Sequence, residues 1–338
     1  MAGAVNVEGI MSAIGRTRPA AVLTAMLALG IASEAAQAQT YPSKPIHIMV
    51  PYAPGGVSDI AARLVGQKLT EAWGQQVVVE NRPGGNGFIA VMATVKAPAD
   101  GYTLIVGTVG EFTINPALFK DLPYDVQRDL TPIAMLSDTP LVLAAHGASP
   151  YQSVADVIAA AKAQPGRISI SSPGNGTFNH IAIEWMALGA GVQVQHIPYK
   201  GGAPAATAVA AGDIPLGILA SSSVAPHLAA GRIRVLAVTT SKRSPFNSEL
   251  KTLQEEGVPD VDASNWVGML APKGVPQPIV EKLYSEIQKI LAMPDVRERF
   301  AAGGAATVPM SLADFDARIR SDTARLKDIV QKANVKPD

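Results

Sequence analysis

Two glycine-rich segments of the sequence have the residue types needed to bind an anion through backbone N–H groups. The first, PYAPGGVSD (51–59), separates an apolar, strand-like run from a helix-like run. The second, SSPGNGTFNH (171–180), has the same position between another strand and another helix. The free N–H groups at a helix start, together with the helix dipole, favour a negatively charged ligand. The sequence therefore predicts two anion-binding turns in different halves of the chain.

The first segment combines a tight turn with helix-capping residues. Two adjacent glycines let the backbone turn sharply and approach a ligand closely. Ser58 or Asp59 is expected to cap a helix that begins near Ile60. An ordinary capped turn would have the same residues, so both interpretations stay open for this segment alone. Its candidate binding residues are Pro54, Gly55, Gly56, Ser58 and Asp59.

The second segment adds hydroxyl groups to the same arrangement. It lacks the Gly-Lys-Ser/Thr of a phosphate-binding loop and the Gly-x-Ser-x-Gly of a nucleophile turn. His180 lies in the first turn of the helix, where a histidine more often packs or orients a loop than acts as a base. The candidate binding residues are Ser171, Ser172, Gly174, Gly176, Thr177 and His180.

Residues at the ends of other predicted strands are weaker candidates for contacts with the ligand. Thr108 follows the run YTLIVG, Tyr199 follows VQHIP, and Ser221 follows IPLGILA. Glu111 would repel a carboxylate if it pointed inwards. We therefore expect Glu111 at the rim of the site, or as a residue that selects ligands with hydrogen-bond donors.

The residues that could perform catalysis or bind a metal are sparse. The chain has no cysteine, and its five histidines show no metal-ligand spacing. No nucleophile, base and orienting group come together in the sequence. With 28 basic and 28 acidic residues, the chain also lacks the basic surface of a nucleic-acid-binding protein. The sequence thus predicts binding without catalysis, with no metal, no cofactor and no nucleic acid.

The elements that must position these turns alternate between strands and helices. Such alternation is typical of α/β proteins with mostly parallel sheets. Nine strands suit two sheets better than one, and two facing domains would place one anion-binding turn on each side of a cleft. A small carboxylate fits that geometry, and a dicarboxylate could use both turns. The strand candidates are IHIMVPY, QVVVENR, YTLIVGT, PLVLAAH, RISISS, VQHIPY, IPLGILA, IRVLAVT and WVGMLAP.

Two helix starts and a targeting segment are also indicated. Ser153 with Asp156, and Ser311 with Asp314, have the spacing of helix caps. At the N-terminus, two arginines precede an apolar run of thirteen residues and the small-residue pattern AQA. This pattern predicts a signal peptide over residues 1–38 and a periplasmic protein. The run is too short to span a bilayer, which needs about twenty residues. A buried N-terminal helix is the alternative.

The chain resembles the extracytoplasmic solute receptors of tripartite tricarboxylate transporters, the Bug-type receptors. The resemblance covers residues 41–334, and its motifs stand in the family order. They are YPSKPIHIMVPYAPGGVSDIAAR, VVVENRPGGNG, PADGYTLIVGT, LPYDVQRDLTPIAML, SSPGNGTFNHIA, HIPYKGGAPA, AGRIRVLAVTTSKRSP and WVGMLAPKGVPQPIV.

The resemblance implies a two-domain fold of the periplasmic-binding-protein type (type II), hinged around a central cleft. Residues 41–140 plus 263–338 would form one domain and residues 141–262 the other. The ligand, a small organic carboxylate, would be bound by residues 54–59 and 171–177. The receptor would be a monomer that delivers this ligand to one large and one small membrane subunit.

The sequence departs from the family pattern after the GTV of residues 107–109. Glu111 and Phe112 stand where relatives often have small polar residues. Phe112 would either stack on an aromatic carboxylate or pack in the core. Two other functions stay open at this point. One is a periplasmic α/β hydrolase-like enzyme that acts on a carboxylate, with His180 as base near Ser172 or Thr177. The other is a sensor subunit that presents its ligand to a membrane kinase.

Overall fold

The first part of the fold contains three short strands, and the first of these strands leads into the first glycine-rich segment. The structure, a computed structural model, describes residues 41–244 and 248–336. The elements of the first part are β1 (Ile46–Val50), α1 (Val57–Trp73), β2 (Val77–Asn81), α2 (Phe88–Val95), β3 (Thr103–Thr108), α3 (Asn115–Leu118) and α4 (Val126–Asp129). Strand β1 pairs in parallel with both β2 and β3. A π-helical turn over Gly110–Ile114 leads directly into α3.

The middle of the chain repeats the alternation of strands and helices. The elements are β4 (Leu130–His146), α5 (Val154–Ala163), β5 (Ser169–Ser172), α6 (Phe178–Ala190), β6 (Gln195–Pro198), α7 (Gly202–Ala211), β7 (Leu216–Ala220), α8 (Ser221–Ala229) and β8 (Ile233–Val238). Strand β5 pairs in parallel with β6 and with β7, and α6 follows β5 through the second glycine-rich segment.

The long strand β4 connects the two groups of strands. Its first part pairs antiparallel with β9 (Ser264–Pro272), as far as Pro140 opposite Ser264. From Leu141 onwards, β4 pairs with β7 and β8 instead. The strand order is β2-β1-β3-β9-β4-β7-β5-β6, with β8 also on β4. The predicted division into two domains stays a prediction and is taken up below.

Three helices follow β9, and the last of them contributes Phe315 to a buried aromatic cluster. They are α9 (Gln277–Ala292), α10 (Pro294–Ala302) and α11 (Leu312–Lys332). Phe112 and Trp266 stack with ring centroids 6.1 Å apart, and Phe315 of α11 meets Trp266 edge to face. All three side chains are fully buried. Phe112 therefore packs in the core and is not available to a ligand.

Most predicted elements are confirmed. Each of the nine strand candidates falls on a strand. Strand β4 begins at Leu130, well before PLVLAAH, and the sequence did not indicate its first part because Pro132 and Asp138 interrupt the apolar pattern there. Ser153 accepts from the N–H of Asp156 in a full capping box, and Ser311 accepts from that of Asp314. The predicted signal peptide lies outside the described residues. Within the described ranges, no helix is long and apolar enough to cross a membrane.

Candidate functional site

A cavity of about 820 Å³ lies where the two glycine-rich segments meet. Pro54, Gly56 and Val57 line it from the first segment, and Gly176 and Thr177 line it from the second. The carboxyl ends of β1, β3 and β5 lead into it, the place where open α/β sheets bind ligands. This volume is in the range that accommodates a small organic molecule.

Three helices begin at the wall of this cavity. Gly56 is the N-cap of α1, and no side chain caps the first turn of this helix. Helix α7 also lacks a side-chain cap and begins at Gly202, a lining residue. Helix α6 begins at Phe178, and both Phe178 and Asn179 line the cavity. Since the first N–H groups of a helix have no partner within the helix, these starts offer donors and positive dipole ends to a ligand.

The lining is electrically neutral. Among the described residues, no lysine, arginine, histidine, aspartate or glutamate lines the cavity. A bound anion would therefore be stabilised by N–H groups and dipoles rather than by a cationic side chain. Five of the lining residues carry side-chain amides: Asn86, Asn115, Asn175, Asn179 and Asn265.

One side of the cavity is apolar. Leu118 and Phe119, at the end of α3, line it together with Phe178. Phe119 is fixed by an edge-to-face contact with Phe88, with ring centroids 5.1 Å apart. Such a wall binds the hydrocarbon part of a ligand by removing it from water.

The first turn is organised around the carboxylate of Asp59. This group is almost fully buried and accepts the N–H of Gly55 at 2.9 Å. Arg63 and Asn81 donate to it at 3.0 and 2.9 Å. Burial alone would raise its pKa, but the hydrogen bonds from Arg63, Gly55 and Asn81 together hold the pKa of Asp59 below its usual value. Asp59 thus fixes the turn from behind instead of meeting the ligand.

The second turn is held by side chains of its own. Thr177 caps α6 by accepting the N–H of His180, and its hydroxyl donates to the carbonyl of Gly174 at 2.7 Å. His180 accepts the N–H of Gly176 through Nδ1 at 3.1 Å. Its ring stacks on that of His196, with centroids 3.7 Å apart. The shape of this turn therefore depends on hydrogen bonds inside the protein.

The hydrolase alternative requires His180 as a base near Ser172 or Thr177, but the Thr177 hydroxyl donates to the carbonyl of Gly174, and Ser172 meets a different histidine. Ser172 Oγ lies 2.6 Å from Nε2 of His196, which reaches it from the neighbouring strand β6. Ser172 is fully buried, and its Oγ also exchanges hydrogen bonds with Gly174. This hydroxyl is inside the protein and is not among the groups that line the cavity.

A third part of the wall contains a buried carboxyl behind two hydroxyl-bearing residues. Tyr52 and Thr108 line the cavity at the end of β3. Behind them, Glu111 is fully buried and its Oε2 accepts from the N and Oγ of Thr108, at 2.7 and 3.1 Å. Burial raises the pKa of Glu111, and this effect outweighs the hydrogen bonds from Tyr52 and Thr108. Glu111 therefore does not lie at the rim, which was the first of the two expectations from the sequence, whereas the second, a role in selecting ligands with hydrogen-bond donors, stays a prediction.

The cavity brings together only part of the predicted site. Pro54, Gly56, Thr108, Gly176 and Thr177 line it. Gly55 and Gly174 shape the turns through their backbones without lining it. Ser58 is fully buried, Ser171 is buried beside the carbonyl of Ala205, and Ser221 donates to the carbonyl of Pro140. Also outside the lining are Asp59, Ser172, His180 and Tyr199.

The helix of the first turn also differs from the prediction. It begins at Val57, three residues before Ile60, with Gly56 as N-cap. Ser58 and Asp59 therefore lie inside the first turn and neither caps the helix. Because glycine has no side chain to accept an N–H, the helix start remains open towards the cavity.

Sequence reasoning missed several lining residues. Asn175 and Asn179 lie within the second segment but were not singled out. Asn115, Phe119 and Asn265 come from elements without a glycine-rich turn. Asn86 lies in PGGNG (83–87), a glycine-rich turn between β2 and α2 that has the pattern used in the prediction but was not chosen as a candidate. The described residues contain no cluster of histidine, cysteine, aspartate and glutamate that could bind a metal ion. Another crevice, of about 590 Å³, is lined by residues of both charges near Asp260 and Lys332, away from the glycine-rich turns.

Solved structures share this architecture. The alkanesulfonate-binding protein SsuA of Xanthomonas axonopodis pv. citri superposes with a TM-score of 0.51 at 13% identity, covering 87% of this chain and 94% of its own, which shows the fold alone. R. palustris Rpa4515 with adipate gives a TM-score of 0.74 at 34% identity, covering 88% of this chain and 100% of its own. MatC (Rpa3494) of Rhodopseudomonas palustris with bound malate gives 0.71 at 27% identity, covering 86% and 100%. The fold is that of a type II periplasmic binding protein.

The sequence identifies the family. Residues 61–335 match the TctC family, described as the tripartite tricarboxylate transporter family receptor. The chain is 36% identical over 327 residues to the UPF0065 protein in the tcbD-tcbE intergenic region of Pseudomonas sp. (strain P51), covering 94% of each. It is 34% identical over 321 residues to Protein BugT of Bordetella pertussis, covering 95% and 98%. The chain belongs to the TctC family. It is a periplasmic solute-binding receptor and not an enzyme, as its sequence predicted.

Proposed function

We propose that this receptor binds a small organic carboxylate in the 820 Å³ cavity, with the carboxylate on the N–H groups at the starts of α1, α6 and α7. The observation that carries this proposal is the convergence of three helix starts on a cavity without charged side chains. Hydrogen bonds to a charged acceptor are the strong ones, worth about 1.5–3 kcal/mol each.

Two relatives support a carboxylate as ligand. One solved structure contains adipate and another contains malate, and both cover nearly the whole described part of this chain. The neutral, amide-rich lining and the apolar wall near Phe119 add a preference for a ligand that has a hydrocarbon part as well as an anionic group.

The proposed mechanism is ligand-driven closure of two domains. Residues 41–140 plus 263–338 would form one domain and residues 141–262 the other. The change of pairing partner on β4, from β9 up to Pro140 to β7 and β8 from Leu141, supports a hinge at this position. Contacts from both domains to one ligand would favour the closed state.

The proposal includes export and delivery. Residues 1–38 would act as a signal peptide that is removed on the way to the periplasm. The receptor, acting as a monomer, would then deliver its ligand to a membrane transporter made of one large and one small subunit. Membership of the TctC family supports this partnership.

A thermal-shift screen of the purified receptor tests the proposed function. The panel contains aliphatic mono-, di- and tricarboxylates, aromatic carboxylates and amino acids, and mass analysis follows each incubation. A saturable increase in Tm, with the ligand recovered unchanged, is the expected result, because a ligand that binds only the folded state stabilises it. If no carboxylate shifts the Tm, or if the hit is converted, the proposal is wrong.

A further inference from the structure

The cavity wall at the end of β3 differs in polarity from the helix starts that face it. Tyr52, Thr108 and Gly110 form this wall. The N–H of Gly110 donates to Thr108 Oγ at 3.1 Å, and Thr108 Oγ donates to Oε2 of Glu111 at 3.1 Å. These donors are directed at protein acceptors rather than at the cavity.

Tyr52 follows the same pattern. The residue as a whole is 40% exposed, but its hydroxyl end lies inside, next to Gly110 and the buried Glu111 carboxyl. Burial of this end and the neighbouring carboxyl raise the pKa of Tyr52 well above its usual value, so the phenol stays protonated. The wall therefore presents oxygen lone pairs to a ligand, while the starts of α1, α6 and α7 present N–H groups.

Glu111 is held firmly in this arrangement by two glycines. A Cβ atom at Gly87 would lie 2.5 Å from Cγ of Glu111, and one at Gly107 would lie 2.9 Å from its Oε2. The glutamate side chain occupies the space that these glycines leave empty. Its Oε1 is buried and has no hydrogen-bond partner, so an unsatisfied carboxyl oxygen lies directly behind the wall.

We propose that Glu111 makes the receptor selective for a carboxylate that carries a hydrogen-bond donor, namely a hydroxyl, amine or amide group, at the end that reaches Tyr52 and Thr108. This inference rests on the proposed function, which places the carboxylate at the helix starts. A second carboxylate at the Tyr52 end would meet oxygen acceptors and the Glu111 carboxyl without gaining a donor. Unpaired acceptors of this kind reject a ligand more strongly than a missing apolar contact does.

Calorimetric titration with two matched series tests the inference. The six-carbon series is hexanoate, 6-hydroxyhexanoate, 6-aminohexanoate and adipate, and the four-carbon series is butanoate, 4-hydroxybutanoate, 4-aminobutanoate and succinate. Each series keeps one carboxylate and the chain length constant and varies only the far end. In the series that binds, the wild-type receptor should bind a donor-bearing member at least about tenfold more tightly than the dicarboxylate, a ratio that one good hydrogen bond supplies.

Two variants assign that preference to Glu111. Glu111→Gln replaces the carboxyl by a neutral amide with its own N–H, which releases the Thr108 and Tyr52 hydroxyls, and should reduce the ratio at least about threefold. Tyr52→Phe removes one oxygen from the wall, should also reduce the ratio, and keeps the test decisive if Glu111→Gln fails to fold. The matched control is Glu80→Gln, a partly exposed carboxylate bound to His47 and Arg82 outside the cavity, which should leave the ratio unchanged.

Each possible result of these titrations either supports or overturns the inference. A donor preference that falls in Glu111→Gln or in Tyr52→Phe supports the inference. A wild-type receptor that binds the dicarboxylate as tightly as the donor-bearing members overturns it and leaves the proposed function intact. Binding of none of the eight probes, when the thermal-shift screen has found another carboxylate, also overturns it. If the screen finds no carboxylate at all, the proposed function itself has failed.

Discussion

The two glycine-rich turns look alike in sequence but are built differently. In the first, glycine is the N-cap of α1, and the helix start is left open. In the second, Thr177 caps α6, and His180 accepts the N–H of Gly176. The first turn therefore keeps more of its N–H groups for a ligand, whereas the second uses some of them to hold its own shape.

The comparison assigns a different task to each turn. Asp59 fixes the first turn from behind, so that its free N–H groups are in place before any ligand arrives. The second turn contributes the start of α6, the amide-bearing residues Asn175 and Asn179, and the apolar ring of Phe178, while the Asn179 amide itself donates to the carbonyl of Ile218. We infer that the first turn is the main anchor for the carboxylate and that the second turn completes the site.

The largest expected effect comes from blocking the first turn. Gly56 has an extended backbone with a φ of −78°, and the nearest atom to an added Cβ is 3.8 Å away. Gly56→Leu should therefore fold normally while its side chain covers the N–H groups of α1. Loss of two charge-assisted hydrogen bonds predicts an affinity at least about 100-fold weaker. Calorimetric titration measures this effect, and Gly56→Ala should give a smaller loss. An unchanged affinity in Gly56→Leu would remove the first turn from the site.

The next effect concerns the stability of the first turn. The pKa of the Asp59 carboxyl is lowered in the folded protein. Asp59 therefore contributes stability that is present above pH 4 or so and is lost as the pH falls further. Asp59→Asn should cost about 2 kcal/mol of unfolding free energy at neutral pH, because the hydrogen bonds to a charge are weakened.

Chemical denaturation at several pH values measures this cost. The difference between wild type and Asp59→Asn should shrink as the pH falls below 4 or so. A difference that stays constant across that range would show that the Asp59 charge does not hold the turn.

At the second turn we expect a smaller loss. Thr177→Ala removes the cap of α6 and should cost about 1 kcal/mol of unfolding free energy. Because the helix start lines the cavity, the affinity should also fall by about fivefold. Ser153→Ala removes the equivalent cap of α5, which is not part of the cavity lining, and serves as the matched control. Equal affinity losses in the two variants would show that the effect is general and not local to the site.

The smallest effect is a pH dependence at Glu111. Burial raises its pKa, so the stability associated with the protonated carboxyl is present below the ordinary glutamate value of about 4.3 and is lost as the pH rises through the raised pKa. The unfolding free energy of wild type should therefore decrease, relative to that of Glu111→Gln, as the pH rises above 4.3 or so. Denaturation curves of both proteins over this range measure the difference, and a difference of opposite slope would contradict the account.

The local features of this protein could be predicted, because short sequence patterns determine them. The strands and the Ser153 and Ser311 caps depend only on residues close together in the chain. The position of a polar group relative to a distant element could not be predicted. Ser172 is directed at His196 because β5 and β6 pair in register, a fact that neither segment contains alone.

The cavity lining shows the same limit. Asn86, Asn115 and Asn265 come from three separate segments and meet only because the fold brings strand ends and helix starts to one place. Glu111 was noted as an unusual residue, but its burial depends on the space left by Gly107 nearby and by Gly87 on a separate segment. Sequence patterns therefore located the turns, while the polarity of the walls required the structure.

The most direct test of the central claim is a crystal structure of the receptor with the carboxylate that the thermal-shift screen identifies. We predict that the carboxylate oxygens lie within hydrogen-bond distance of backbone N–H groups at the start of α1, with further donors from α6 or α7 and no lysine or arginine side chain in contact. A carboxylate bound to a cationic side chain, or bound away from the first turn, would contradict the account.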